Sequence, residues 1–322
     1  MTARPSILLT RRWPTEVEAH LAERYDVTRR DPDTPMTRDA LKQAMRDHDA
    51  LCPTVTDTID AEIIGTEGRR ARLIGNFGVG HAHIDLAACR AARIRVSNTP
   101  DILTDATANI AITLMLMASR RAGEGERLLR AGRWDGWAPT QLIGADLAGR
   151  MLGIIGFGRI GQATAAKAHH AFNMRIGFHA RSAPEETPSL DARPFMALDE
   201  LIAAADVLSI HCPGGPATHH LLDRRRLGLM KRGAILINTA RGSIVDEAAL
   251  ADALRSGAIA AARLDVYERE PAIHPGLRAL ENVVLLPHLG SATRDTRIAM
   301  GMRVARNLDA FFGGESPPDA VA

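Results

Sequence analysis

Residues 151–168 read MLGIIGFGRIGQATAAKA. An apolar run of strand composition ends in Gly156, Gly158 and Gly161 at GxGxxG spacing, and a helix-forming segment follows without a break. The spacing alone also fits a ligand-free glycine turn, but the strand before it and the helix after it favour a nucleotide. In such a unit the first glycine permits the tight turn, the second lets backbone approach a diphosphate, and the third lets helix pack close on strand. The helix start, at Arg159 and Ile160, then offers N–H groups to an anion. The stretch predicts a parallel α/β sheet with a dinucleotide site at this turn.

The rest of the chain repeats the same alternation. After residue 150 the runs MRIGFHA, DVLSIHCP, GAILINTA, AARLDVY and NVVLLPH continue the strand pattern. Before it, SILLT, DALCPT, RLIGNFGVG and RIRVSNTP are separated by helical patterns such as TEVEAHLAERY. Two α/β units are predicted, as suits 322 residues, a length at which a single core seldom serves. A long helix over residues 101–121 leads into the irregular, Gly- and Trp-bearing GRWDGWAPTQLIGADLAG. The last helix, about residues 295–312, follows the second sheet and is expected to return to the first unit. The tail GGESPPDAVA has little to bury and is expected to be disordered.

With 40 Lys plus Arg against 38 Asp plus Glu, the chain lacks the electrostatic footprint of a nucleic-acid or anionic-membrane binder, so the expected partner is a small molecule. Cys52, Cys89 and Cys212 stand at no metal or disulfide spacing, which suggests free thiols in the reducing cytoplasm. The opening MTARPSILLTRRWP has too short an apolar run for a signal peptide. The apolar stretch from Ala106 to Ala118 falls short of the roughly twenty residues of a membrane span and reads as a buried helix.

About twenty residues past the glycine turn, dinucleotide-binding proteins often place an acid that accepts hydrogen bonds from a ribose 2′-hydroxyl. Here the sequence is RIGFHARS, with His179, Arg181 and Ser182 instead. A guanidinium and a hydroxyl suit a 2′-phosphate, so NADP(H) is expected ahead of NAD(H), which remains admissible. The alternative is that Arg181 stacks on adenine or points into water.

Three later segments each end an apolar strand with a reactive group: INTARGSIVDE with Arg241, LDVYEREP with Asp265 and Glu270, and LLPHLGSAT with His288. The carboxyl edge of a parallel sheet is where ligands bind, so these residues can converge there. A histidine can protonate a developing alkoxide, a carboxylate can orient it and favour its charged form, and an arginine can hold a carboxylate or carbonyl oxygen. Each alone has a plain structural alternative; their common placement argues for chemistry.

The motifs GFGRIGQ, NTARGSIVDE, LDVYEREP and PHLGSAT, in this order, make the chain resemble the D-isomer-specific 2-hydroxyacid dehydrogenases over nearly its full length, most of all the glyoxylate and hydroxypyruvate reductases. The resemblance implies two Rossmann-like, doubly wound parallel-sheet domains. An NAD(P)-binding domain, residues 101–288, is inserted into a discontinuous, flavodoxin-like substrate-binding domain, residues 1–100 and 289–322, with the active site in the cleft and a homodimer built around the inserted domain.

By the same resemblance Arg241 binds substrate, Glu270 supports His288 and His288 is the acid/base. Asp265 meets the nicotinamide carboxamide, Val79 and Gly80 in GNFGVG bind the substrate carboxylate, and Thr104, Cys212, Pro213, Thr218, Thr239, Ala240 and Gly290 line the cofactor. The implied activity is NADPH-preferring reduction of glyoxylate to glycolate and of hydroxypyruvate to D-glycerate. Phosphoglycerate and D-lactate-type dehydrogenases are the alternatives within the family. Formate dehydrogenases typically carry Gln where Glu270 stands, and a nucleotide-sensing corepressor is the non-enzyme alternative. GHAHIDL and GGPAT depart from the usual family segments, which puts local loop geometry in question. His81 and His83, like the pairs His169–His170 and His219–His220, are read as ordinary residues, and no metal is expected. Trp134 or Trp137 either approaches the substrate pocket or packs the loop or dimer contact.

Overall fold

The computed structural model describes residues 4–181 and 190–322. The chain divides into two units, Met1–Leu103 with Ala292–Ala322, and Thr104–Ser291. Both junctions fall a few residues later than the sequence suggested. The long helix starts only at Thr104, and Leu289 and Gly290 are held by Asp265 of the second unit.

In the first unit β1 (Ser6–Leu9), β2 (Asp26–Arg29), β3 (Ala50–Cys52), β4 (Leu73–Gly75) and β5 (Arg95–Ser97) form a parallel sheet in the order β2-β1-β3-β4-β5. Alternation along each strand builds a core on both faces: Leu8 and Leu51 pack on one, Ile7, Leu9 and Cys52 on the other. The helix Arg294–Phe312 returns to this unit. Its Gly301 sits so close to Val17 that a Cβ would come within 2.6 Å of Val17 Cγ1, and Asp309 accepts the hydroxyl of Tyr25 at 2.7 Å.

The tail corrects the expectation of disorder. Val321 N–H donates to Val96 C=O at 2.7 Å and Val96 N–H to Ala322 C=O at 2.9 Å, so the tail adds an antiparallel partner to β5. Asp319 anchors it through a two-point ion pair with Arg303, at 2.6 and 2.7 Å, and by exchanging hydrogen bonds with Asn307. Main-chain pairing and one buried carboxylate order the segment, and Val321 and Ala322 pack against the apolar cluster that holds Leu8 and Leu51.

The second unit holds β6 (Met151–Ile155), β7 (Arg175–His179), β8 (Ala192–Pro194), β9 (Val207–Ile210), β10 (Ile235–Asn238), β11 (Ala261–Leu264) and β12 (Val283–Leu285). They too run parallel, in the order β12-β11-β10-β9-β6-β7-β8. Leu208 and Leu236 face one apolar layer, with Leu201 and Leu250; Val207, Ile235 and Ile237 face the other, with Leu114 and Met115 of the helix Thr104–Ser119. The chain winds outward from β6 to β8, then crosses back to β9, which makes β6 and β9 the switch point of a doubly wound sheet. Among the described residues no helix is long and apolar enough to cross a membrane.

Candidate active site

At the switch point the loops after β6 and β9 meet. Gly156 has φ +91°, and a Cβ there would lie 2.4 Å from the backbone nitrogen of Cys212, a position only glycine fills. A Cβ on Gly161 would lie 2.3 Å from Gly156 O, whereas Gly158 has no atom within 4 Å of the corresponding point, so its face is open. Gly158 caps the helix Arg159–Phe172, whose first turn, with Arg159, Ile160 and Gly161, has no side-chain cap and no acid. The positive end of that helix is thus left for an anion. Thr239, just past β10, is buried with its hydroxyl unpartnered among the described residues. Such a hydroxyl is available to a water or to a polar ligand group. The open glycine face, the uncapped helix and this hydroxyl together fit a dinucleotide.

His179 ends β7. Its Nδ1 donates to Phe195 C=O at 3.0 Å, which leaves Nε2 as an acceptor in the neutral ring. Arg181 is exposed and makes no ion pair with the described residues, and Ser182 lies outside them. In the loop after β9, burial pushes the Cys212 thiol up to about 11, so it stays protonated near neutral pH. Pro213 C=O accepts the Thr218 hydroxyl at 2.8 Å. Thr104 opens the helix Thr104–Ser119, and Thr107 one turn later donates to Gly290 C=O at 3.2 Å, tying the helix start to the segment after His288.

Arg241 follows the turn after β10. Asn238 closes that turn by accepting Ala240 N–H at 3.0 Å and donating to Arg241 C=O at 2.9 Å. The stem of Arg241 lies over Gly214, where a Cβ would come within 2.8 Å of Arg241 Cγ. Burial lowers the pKa of Arg241 from its ordinary value, against the pull of the Glu270 carboxylate. A guanidinium so placed still keeps its charge.

Glu270 Oε2 lies 2.8 Å from His288 Nδ1, and Glu270 Oε1 accepts Tyr267 N–H at 3.0 Å. Burial pushes the Glu270 carboxyl up, but the His288 hydrogen bond, the Tyr267 N–H and the Arg241 charge outweigh it and hold it below the ordinary range. His288 has a left-handed backbone, φ +56°, which costs free energy unless something holds it. Asp265 does so. Wholly buried, it accepts Leu289 N–H at 2.6 Å and Gly290 N–H at 2.8 Å, while its own C=O accepts His288 N–H at 2.9 Å. Burial raises the Asp265 carboxyl, and those N–H groups oppose the rise.

Val79 and Gly80 lie in the first unit, in the loop after β4. Arg241, Asp265, Glu270 and His288 are brought together in the second. Trp134 donates its indole N–H to Gln141 at 3.2 Å, and Trp137 is 82% exposed. Among the described residues no group of three or more His, Cys, Asp and Glu could hold a metal ion. His83 Nε2 lies 3.0 Å from Asn76 Oδ1, His169 meets Met174 C=O, and His220 meets Glu268.

Sequence reasoning passed over Asn238, Tyr267, Glu247 and Glu268. Glu247 accepts the N–H groups of Glu268 at 3.0 Å and of His274 at 3.2 Å, bracketing Glu270. A legible signal existed for Asn238, an amide at a strand end, where Asn commonly closes turns. Nothing in VDE marks Glu247 as reaching across the fold.

Residues 112–290 match the family model for the D-isomer-specific 2-hydroxyacid dehydrogenase NAD-binding domain. The chain is similar to the glyoxylate reductase of Thermococcus onnurineus, 41% identical over 99% of this chain and 96% of that one. Among solved structures it resembles a glyoxylate reductase from Paecilomyes thermophila, with TM-score 0.86 and 33% identity over 100% and 99% of the two chains. It also resembles an NADPH-dependent glyoxylate/hydroxypyruvate reductase from Sinorhizobium meliloti in complex with NADP and malonate, with TM-score 0.88 and 34% identity over 99% and 97%.

Proposed function

The chain belongs to the D-isomer-specific 2-hydroxyacid dehydrogenase family and is an NAD(P)-dependent enzyme, and from that premise we propose that it reduces glyoxylate to glycolate and hydroxypyruvate to D-glycerate, with NADPH preferred. The observation that carries the chemistry is the His288–Glu270 pair beside Arg241. A bound nicotinamide supplies the hydride, to be held by the Gly156–Gly161 turn and the segments at Thr104, Cys212, Pro213, Thr218, Thr239, Ala240, Asp265 and Gly290. Protonated His288 keeps its Nδ1 hydrogen bond to Glu270 and gives the Nε2 proton to the substrate oxygen as the alkoxide develops. Glu270 stays a carboxylate and stabilises the imidazolium; Arg241 attracts the negative substrate oxygens. The N–H groups of Val79 and Gly80 receive the substrate carboxylate.

The NADPH preference is supported by Arg181 and by the absence of an acid at residues 179–181, and by the NADPH-dependent relative. His179 and Ser182 are assigned to the same adenosine end. A homodimer is proposed from the exposed Leu129, Trp134, Trp137 and Ile143 of the second unit. The cytoplasm is proposed from three cysteines, none in a disulfide. A panel of 2-oxo acids assayed with NADH and with NADPH tests activity and preference together. Turnover of neither glyoxylate nor hydroxypyruvate would overturn the substrate assignment.

A further inference from the structure

Asn76 is wholly buried and follows β4 directly. Its Nδ2 donates to Gly78 C=O at 2.9 Å and to Gly80 C=O at 3.1 Å. Thr99 N–H also donates to Gly78 C=O, at 3.1 Å, and Asn98 Nδ2 donates to Val79 C=O at 2.9 Å. The carbonyls of three consecutive residues are therefore taken by donors. In a trans peptide the N–H points away from the C=O of the same plane. Fixing Gly78 C=O thus fixes Val79 N–H, and fixing Val79 C=O fixes Gly80 N–H. Among the described residues neither of these two N–H groups has an acceptor. Adjacent N–H groups left free in a turn can together bind an anion.

The orientation of the Asn76 amide is itself fixed. Because its nitrogen donates to two carbonyls, its Oδ1 is the acceptor toward His83 Nε2 at 3.0 Å, and the ring donates. We propose that Asn76, its amide oriented by His83, is a positioning residue that sets the Gly78–Val79 peptide plane and thereby the affinity for the carboxylate of a small 2-oxo acid. The proposal rests on Val79 and Gly80 as the carboxylate contacts. It gives the His83 ring, 3.0 Å from Asn76 Oδ1, a specific task.

The test uses the full chain with NADPH, measuring glyoxylate kinetics and, separately, the dissociation constant of oxamate as a non-reducible analogue. In His83→Ala the glyoxylate KM and the oxamate dissociation constant are expected to rise together by about fivefold, the worth of one hydrogen bond. The kcat and the NADPH KM are expected to stay within about twofold on that same scale. His83→Gln, whose side-chain amide can donate to Asn76 Oδ1, is expected to restore both constants. Asn76→Asp, which removes both donors, is expected to weaken oxamate binding further; should that variant not fold, the two His83 variants decide. Unchanged glyoxylate KM and oxamate binding in His83→Ala overturn the proposal, as does a loss of kcat alone that His83→Gln does not restore. A wild-type protein that neither reduces glyoxylate nor binds oxamate sinks the substrate assignment and this proposal with it, whereas wild-type activity with unaltered variants sinks this one alone.

Discussion

The side chain of Glu247 accepts the backbone N–H of Glu268 at 3.0 Å, and the side chain of Glu268 accepts the backbone N–H of Glu247 at 2.9 Å. Two residues of like charge sit side by side because each carboxylate is turned onto the other's main chain. Glu268 also takes His220 Nε2 at 3.1 Å, which links the loop after β9 to the segment that carries Glu270. Glu247→Ala leaves the N–H groups of Glu268 and His274 without their acceptor. A destabilisation of about 1–3 kcal/mol is expected, read as a lowered midpoint in thermal or urea unfolding. An unchanged midpoint refutes the clasp.

His288→Asn is expected to lower kcat by a factor on the order of 10²–10⁴, the usual contribution of a positioned acid/base, while NADPH affinity changes little. Steady-state rates and a fluorescence titration of NADPH separate the two effects. Near-normal turnover contradicts the assignment.

Arg181→Ala is expected to weaken NADPH by roughly tenfold, in line with loss of a charge-assisted hydrogen bond, and to leave NADH almost unaffected. The ratio of kcat/KM for the two cofactors reads this directly. Equal losses for both place Arg181 on a part of the dinucleotide that they share.

Gly156→Ala combines a positive φ with a Cβ 2.4 Å from Cys212 N. The loops after β6 and β9 must then part, so both stability and cofactor binding are expected to fall. Gly158→Ala has nothing within 4 Å to strike and is expected to fold normally yet bind the dinucleotide less well, since its methyl occupies the open face. Calorimetry with NADPH tells the two variants apart.

Asp319 gives a pH dependence. Burial raises its carboxyl, but Arg303 and Asn307 overcome this and hold it below the ordinary 3.8. A carboxyl depressed in the folded state adds stability above its unfolded value and loses it as pH falls through the folded one. The Val96 and Val321 amides are therefore expected to be protected from hydrogen exchange at neutral pH and to lose protection below about 3.8, the ordinary value. Protection that persists well below that value shows that Asp319 is not the anchor.

Much of this was legible because central parallel strands are apolar on both faces and announce themselves. The sequence missed β2, with its Asp26-Val27-Thr28-Arg29, and β8, with Pro194. Both lie at sheet edges, where polar side chains and proline are tolerated and the apolar signal vanishes. The reactive side chains were visible because Arg241, Asp265, Glu270 and His288 each follow a readable strand. Other features were not: Asn76, Glu247 and the tail act through main-chain groups, and a main-chain donor or acceptor leaves no mark on the residue that supplies it.

The pairing of the tail with β5 has a consequence for solubility. An uncovered sheet edge is a template on which another chain can add a strand. Residues 320–322 occupy that template on Arg95–Ser97. A variant that frees the tail therefore does more than loosen one end of the fold. It exposes a row of main-chain donors and acceptors to every neighbouring molecule, and its first symptom is aggregation at concentrations where the intact protein stays dispersed.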